Sequence, residues 1–227
     1  MENLEKKNTV KSSNQVSQFV TYEGKEGGNL KVMFVGNSIT RHAPKEDIGW
    51  FGNWGMAASK KENDYVHRVM AYIQEKNPDA SFCIVQAAEW ERSYYDFDYD
   101  KYFAPAKDFC PDIIICGLSE NVPWENFDKT TFAEALHKLA TYLKGEKENC
   151  LLIQGSGVYM NDEKDEAFKL YTEKYNIPYV SMYDISKDKS NLAIGLFEHD
   201  GVQIHPGDKG MQVMAERYIE VLKKKGF

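Results

Sequence analysis

Three residue types that together carry out acyl transfer stand in three well-separated segments. They are a serine in Gly36-Asn37-Ser38-Ile39-Thr40, an asparagine in Gly117-Leu118-Ser119-Glu120-Asn121, and a histidine in His199-Asp200-Gly201-Val202-Gln203-Ile204-His205-Pro206. A serine hydroxyl is a weak nucleophile until a nearby imidazole takes its proton. The charge that then grows on a carbonyl oxygen needs fixed donors, such as backbone N–H groups and an asparagine amide. Ser38, His205 and Asn121 are candidates for these roles, with the Ser38 N–H as a further donor and Gly36 permitting the tight turn before it. Blander readings exist for each: a turn serine, a loop histidine ahead of a helix, and an asparagine satisfying backbone at a strand end. His42 is a competing base, four residues after Ser38.

These segments need elements to bring them together. Short apolar runs at 31–35, 81–85, 112–116, 150–153 and 178–180 read as buried strands. Between and after them, 64–76, 131–143, 163–175 and 207–225 show helical apolar spacing, the second opened by a capping-box pattern, Thr131-x-x-Glu134. Alternating strands and helices predict an α/β fold: a three-layer α/β/α sandwich on a mostly parallel, flavodoxin-like five-stranded sheet. Residues 1–29 read as a flexible polar lead-in, with Phe19-Val20-Thr21-Tyr22 a candidate edge strand, and 30–227 as the domain. Ligands in such sheets bind beyond the carboxyl ends of the strands. Ser38 and Asn121 each follow a strand, and His205 follows the last one through a long connection.

Composition excludes several function classes. The 227 residues are 42% hydrophobic and 28% charged, enough for one domain with a sizeable core. A net charge of −7 disfavours nucleic acid and anionic membrane surfaces as partners. No apolar run approaches the roughly 20 residues that span a bilayer, and the first residues lack an apolar signal core. The four cysteines form no C-x-x-C pair and read as reduced, core-packed thiols of a cytoplasmic protein. His199, Asp200, His205 and Asp208 are explained by the start of the last helix without a metal, so no metal site is expected. G-x-S-x-G, dinucleotide and P-loop signatures are absent.

Val35-Gly36-Asn37-Ser38-Ile39-Thr40, the segment ending at Asn121, and Asp200-Gly201-Val202-Gln203-Ile204-His205-Pro206 resemble the first, oxyanion and last blocks of the SGNH (GDSL-like) hydrolases, over about residues 30–222. The resemblance implies ester hydrolysis without a metal or organic cofactor. It implies that Ser38 is the nucleophile, His205 the base, and the Ser38 N–H and Asn121 amide the oxyanion donors. The Ala88 N–H stands where that family uses a glycine, and Ser119 likewise replaces a usual glycine. The family's acid lies three residues before the histidine, where this chain has Val202. Asp200, five residues before, is then the expected third member, with Glu198 or a backbone carbonyl as alternatives.

All four tryptophans, Trp50, Trp54, Trp90 and Trp124, are placed in segments after strands and are expected to line the substrate site. Aromatic faces suit sugars or apolar acyl chains, although they also pack long loops onto a sheet. The acidic residues Glu89, Glu91, Asp96, Asp98 and Asp100 argue against an anionic substrate. The expected function is hydrolysis of a small ester, with acetylated carbohydrate as the substrate class. The alternatives are a non-catalytic carbohydrate-binding protein on the same scaffold, or an acyltransferase or thioesterase using the same residues.

Overall fold

The structure, a computed structural model, describes residues 19–125 and 127–227. Six strands form one sheet: β1 (Val20–Gly24), β2 (Leu30–Gly36), β3 (Ala80–Gln86), β4 (Ile113–Gly117), β5 (Leu151–Gly155) and β6 (Tyr179–Val180), in the order β1-β3-β2-β4-β5-β6. The five strands read from sequence are parallel and follow the flavodoxin-like order. The sixth, β1, pairs antiparallel with β3 from Val20↔Val85 to Gly24↔Ser81. Part of the expected lead-in is therefore sheet, while 1–18 lie outside the described residues.

Strand periodicity divides the core in two. Met33, Val35, Cys83, Val85, Ile114 and Cys116 face one side, where they meet Trp90, Phe103, Phe132, Leu136 and Phe168. The residues between them, Val32, Phe34, Phe82, Ile84, Ile113 and Ile115, face the other side, against Val66, Val69, Met211, Met214 and Tyr218. The helices follow from this. α1 (Tyr65–Lys76) and α7 (Asp208–Lys224) cover the second face, and α2 (Ala88–Ser93), α3 (Tyr99–Lys107), α4 (Lys129–Lys144) and α5 (Asp162–Tyr175) cover the first. A one-turn helix, α6 (Asp200–Gln203), precedes α7.

Helix α4 starts earlier than its capping-box pattern suggested. Asp128 is the N-cap and accepts from the Thr131 N–H at 2.7 Å, so Thr131 lies inside the helix. All four cysteines are free, Cys83 and Cys116 buried and Cys110 and Cys150 half-buried. Among the described residues no helix is long and apolar enough to cross a membrane.

Candidate active site

The chain leaves β2 through a tight turn that sets Ser38. Asn37 accepts from the Ile39 N–H through Oδ1 at 3.1 Å, and its carbonyl accepts from the Thr40 and Arg41 N–H groups, both at 3.0 Å. Only glycine fits just before it, because a Cβ on Gly36 would sit 1.8 Å from Thr40 Oγ1 and 2.8 Å from the Gly117 carbonyl. The Ser38 carbonyl is held by the Met56 N–H at 2.9 Å. The Ser38 N–H has no acceptor among the described residues, so it is available to a ligand.

His205 is brought to this turn by the segment between β6 and α7. Its carbonyl accepts from the Ala193 N–H at 2.9 Å, Leu192 bridges to Pro206, and the buried Val202 anchors the loop. His205 Nε2 lies 2.8 Å from Ser38 Oγ, and its Nδ1 lies 2.7 Å from the Gly201 carbonyl. A carbonyl only accepts, so Nδ1 carries the hydrogen and Nε2 is the lone pair facing the serine hydroxyl. Burial lowers the pKa of His205 to about 4, opposed by the bond to Gly201 and assisted by the nearby His42. The ring is therefore neutral and ready to accept a proton at ordinary pH.

The expected third member does not reach the ring. Asp200 is exposed, and its carboxylate accepts from Gln203 Nε2 at 3.3 Å. The reason lies in α6: its last carbonyls have no helical partner, and Gly201, four residues before His205, offers one to Nδ1. Glu198 is exposed as well. The competing base, His42, turns its Nδ1 to the Ala43 carbonyl at 2.6 Å.

Asn121 joins Ser38 and His205 in the lining of one cleft of about 550 Å³. Its Nδ2 donates to Glu91 Oε2 at 2.5 Å, and its Oδ1 accepts from Arg92 Nη2 at 3.3 Å. Ala88, expected as a third donor, also lines the cleft, but its N–H already meets Gln86 Oε1 at 3.1 Å. As the first residue of α2, Ala88 has a free helical N–H, and the preceding glutamine side chain caps it.

Beneath the cleft lies a charged network that the sequence reading did not contain. Glu91 is wholly buried, and its Oε1 accepts from Asn37 Nδ2 at 3.1 Å and from the Ser119 N–H. Asn37 Nδ2 also donates to Glu120 Oε2 at 2.6 Å. Burial and the Glu120 charge push the Glu91 carboxyl up to about 7, against three donors that favour its charged form. Lys164 Nζ donates to the Ser119 and Val122 carbonyls, both at 2.9 Å, and burial lowers its pKa. Ser119, between these anchors, has φ +147°, a region that favours glycine.

The tryptophans do not line this cleft. Trp90 is 0% exposed in the core and donates to Tyr99 Oη. Trp50 is buried and Trp54 half-buried, donating to the carbonyls of His42 and Ala58. Only Trp124 is exposed, at 62%, with Lys164 Nζ 4.7 Å from its ring centre. Large apolar rings gain more by packing these loops than by facing water. The cleft instead holds Arg41, Lys45 and Arg92 against the single carboxylate Glu89, so the nearby acidic run does not make it acidic. Phe19 lines it too, from the segment expected as lead-in. Among the described residues no group of three or more His, Cys, Asp or Glu side chains is gathered to hold a metal.

This sheet order, with helices on both faces, is an SGNH-like (GDSL-like) hydrolase fold. Solved structures agree. A GDSL-like lipase from Parabacteroides merdae ATCC 43184 is 17% identical with a TM-score of 0.58, over 88% of this chain and 98% of that one. A two-domain esterase active on acetylated mannans, crystallised with mannopentaose, is 18% identical with a TM-score of 0.55, over 86% of this chain. A family two carbohydrate esterase from Clostridium thermocellum, in complex with cellohexaose, is 17% identical with a TM-score of 0.54, over 87% of this chain. This chain spans 50% of the mannan esterase and 65% of the Clostridium thermocellum chain. No protein-family model and no curated protein matches the chain.

Proposed function

We propose that the protein is a serine esterase that hydrolyses small esters. The carrying observation is the 2.8 Å contact between Ser38 Oγ and the unprotonated Nε2 of a histidine whose tautomer is fixed by the Gly201 carbonyl. Ser38 Oγ attacks the ester carbonyl carbon while its proton passes to His205 Nε2. The carbonyl π electrons become an oxyanion, which the Ser38 N–H and the second Asn121 amide hydrogen stabilise. Collapse expels the alcohol, which takes the proton back from His205. Water, deprotonated by the same nitrogen, then attacks the acyl-serine, releases the acid and restores Ser38. His205 works with a backbone carbonyl and without an aspartate.

Acetylated carbohydrate is the substrate class we favour. Two structural neighbours are carbohydrate esterases seen with oligosaccharides, and an open cleft that carries Arg41, Lys45, Glu89 and Arg92 beside Phe19, Ile48 and Met56 suits a ligand with both hydroxyl groups and apolar faces. The decisive measurement is hydrolysis of 4-nitrophenyl acetate together with labelling by a fluorophosphonate. The wild type turns over and carries the label on Ser38. Ser38→Ala loses about a thousandfold or more in kcat/KM and is not labelled. Activity equal to wild type in Ser38→Ala would sink the proposal.

A further inference from the structure

The network below the cleft ties together the two loops that carry the proposed chemistry. We propose that the buried carboxylate of Glu91 is a positioning residue that sets the Asn121 amide for the oxyanion; this rests on the serine esterase reading above.

The orientation of that amide follows from its partners. Glu91 as a carboxylate only accepts, and the Arg92 guanidinium only donates. Asn121 Nδ2 must therefore face Glu91 and Oδ1 must face Arg92, as the 2.5 Å and 3.3 Å contacts require. One amide hydrogen is bound to Glu91, and the other is left for the cleft. The remaining oxygen of Glu91 holds the Ser119 N–H, two residues before Asn121, and Asn37 Nδ2, one residue before Ser38. A single side chain thus holds the oxyanion donor and the backbone leading to it, while the turn of the nucleophile keeps its own bonds from Asn37 to Ile39, Thr40 and Arg41.

Protonation would weaken this arrangement. Three N–H donors converge on Glu91, and a neutral carboxyl accepts each of them less strongly than the carboxylate does. The charged and titratable groups around it are Glu120 from the loop after β4, the Cys116 thiol on β4, Lys164 on α5, and Glu89 and Arg92 on its own helix. Lys164 is the buried cation among them, but its hydrogen bonds go to the Ser119 and Val122 carbonyls. Activity therefore requires the charged form of Glu91 and declines as pH falls through neutrality, well above the range where His205 titrates.

The test compares Glu91→Gln, Asn121→Ala and the double variant on 4-nitrophenyl acetate across pH. Glu91→Gln is expected to lose about tenfold or more in kcat with KM within about threefold, and to lose the near-neutral decline. In the Asn121→Ala background, Glu91→Gln is expected to cost little more, because both act on one donor. Wild-type kcat and pH profile in Glu91→Gln, or losses that multiply in the double variant, overturn the inference. If Glu91→Gln shows no cooperative unfolding transition, the wild type decides. A kcat inflection near neutrality, with the His205 ring proton resonance titrating below about pH 5, supports the role. A single inflection that follows the His205 resonance overturns it. Silence of Ser38→Ala with an unaffected Glu91→Gln removes this inference alone, whereas activity surviving in Ser38→Ala removes the esterase reading beneath it.

Discussion

The two sides of the cleft are built by opposite means. On the side of the proposed base, His205 is held by a neutral dipole, the Gly201 carbonyl, and burial lowers its pKa to about 4. On the side of the proposed oxyanion donor, Asn121 is held by a buried carboxylate beside a second carboxylate and a buried lysine. A carboxylate at Nδ1 would have raised the imidazole pKa, and a carbonyl opposes burial only weakly. Under the proposed esterase reading, the sensitivity to pH is thereby expected at Glu91 and not at the histidine. The comparison teaches that the partner orienting a side chain shifts which group of a cleft titrates.

The contrast is sharpest at Asn121. Asn121→Ala should lower kcat by about 10²–10³-fold, the usual cost of one oxyanion donor, and should also lower the thermal midpoint, because it takes one donor from the buried Glu91 carboxylate. A loss below tenfold in steady-state kinetics would shift the role to backbone donors. A smaller effect is expected at Ser119, whose φ of +147° is strained for a side chain. Ser119→Gly should relieve that strain, partly offset by the freer unfolded chain, and stabilise by up to about 1 kcal/mol. A lower urea midpoint would show that the serine side chain packs usefully. The smallest effect is expected on the base side. Asp200→Asn should leave kcat/KM within about twofold and the pH profile unchanged, and a tenfold loss would restore the carboxylate to the mechanism.

Ser38, Asn121 and His205 were legible in the sequence because each sits where a parallel sheet delivers its loops, and the strand runs were plain in the hydrophobic pattern. Asp200 was not, because chain spacing carries no information about which terminal carbonyl a one-turn helix turns toward the ring. Glu91 looked like one more acidic residue in a run with Glu89. Its helix spans only Ala88–Ser93, too short for periodicity to separate a buried face from an exposed one. Trp90 and Trp50 were placed near the correct edge, but residue type does not distinguish a ring that lines a cleft from one that seals a loop. The strand Val20–Gly24 was visible as a β-prone run, yet its membership depended on a partner that lies some sixty residues away.

That strand has a consequence for the molecule in solution. A parallel sheet this regular would otherwise present the amide row of β3 as a template on which another chain could build. β1 occupies that row over five residue pairs and runs counter to the rest. At the opposite border β6 is only two residues long, too brief to recruit a stranger. β1 becomes the border in place of β3, so the two border strands are five and two residues long, and short borders limit the row that another chain could extend.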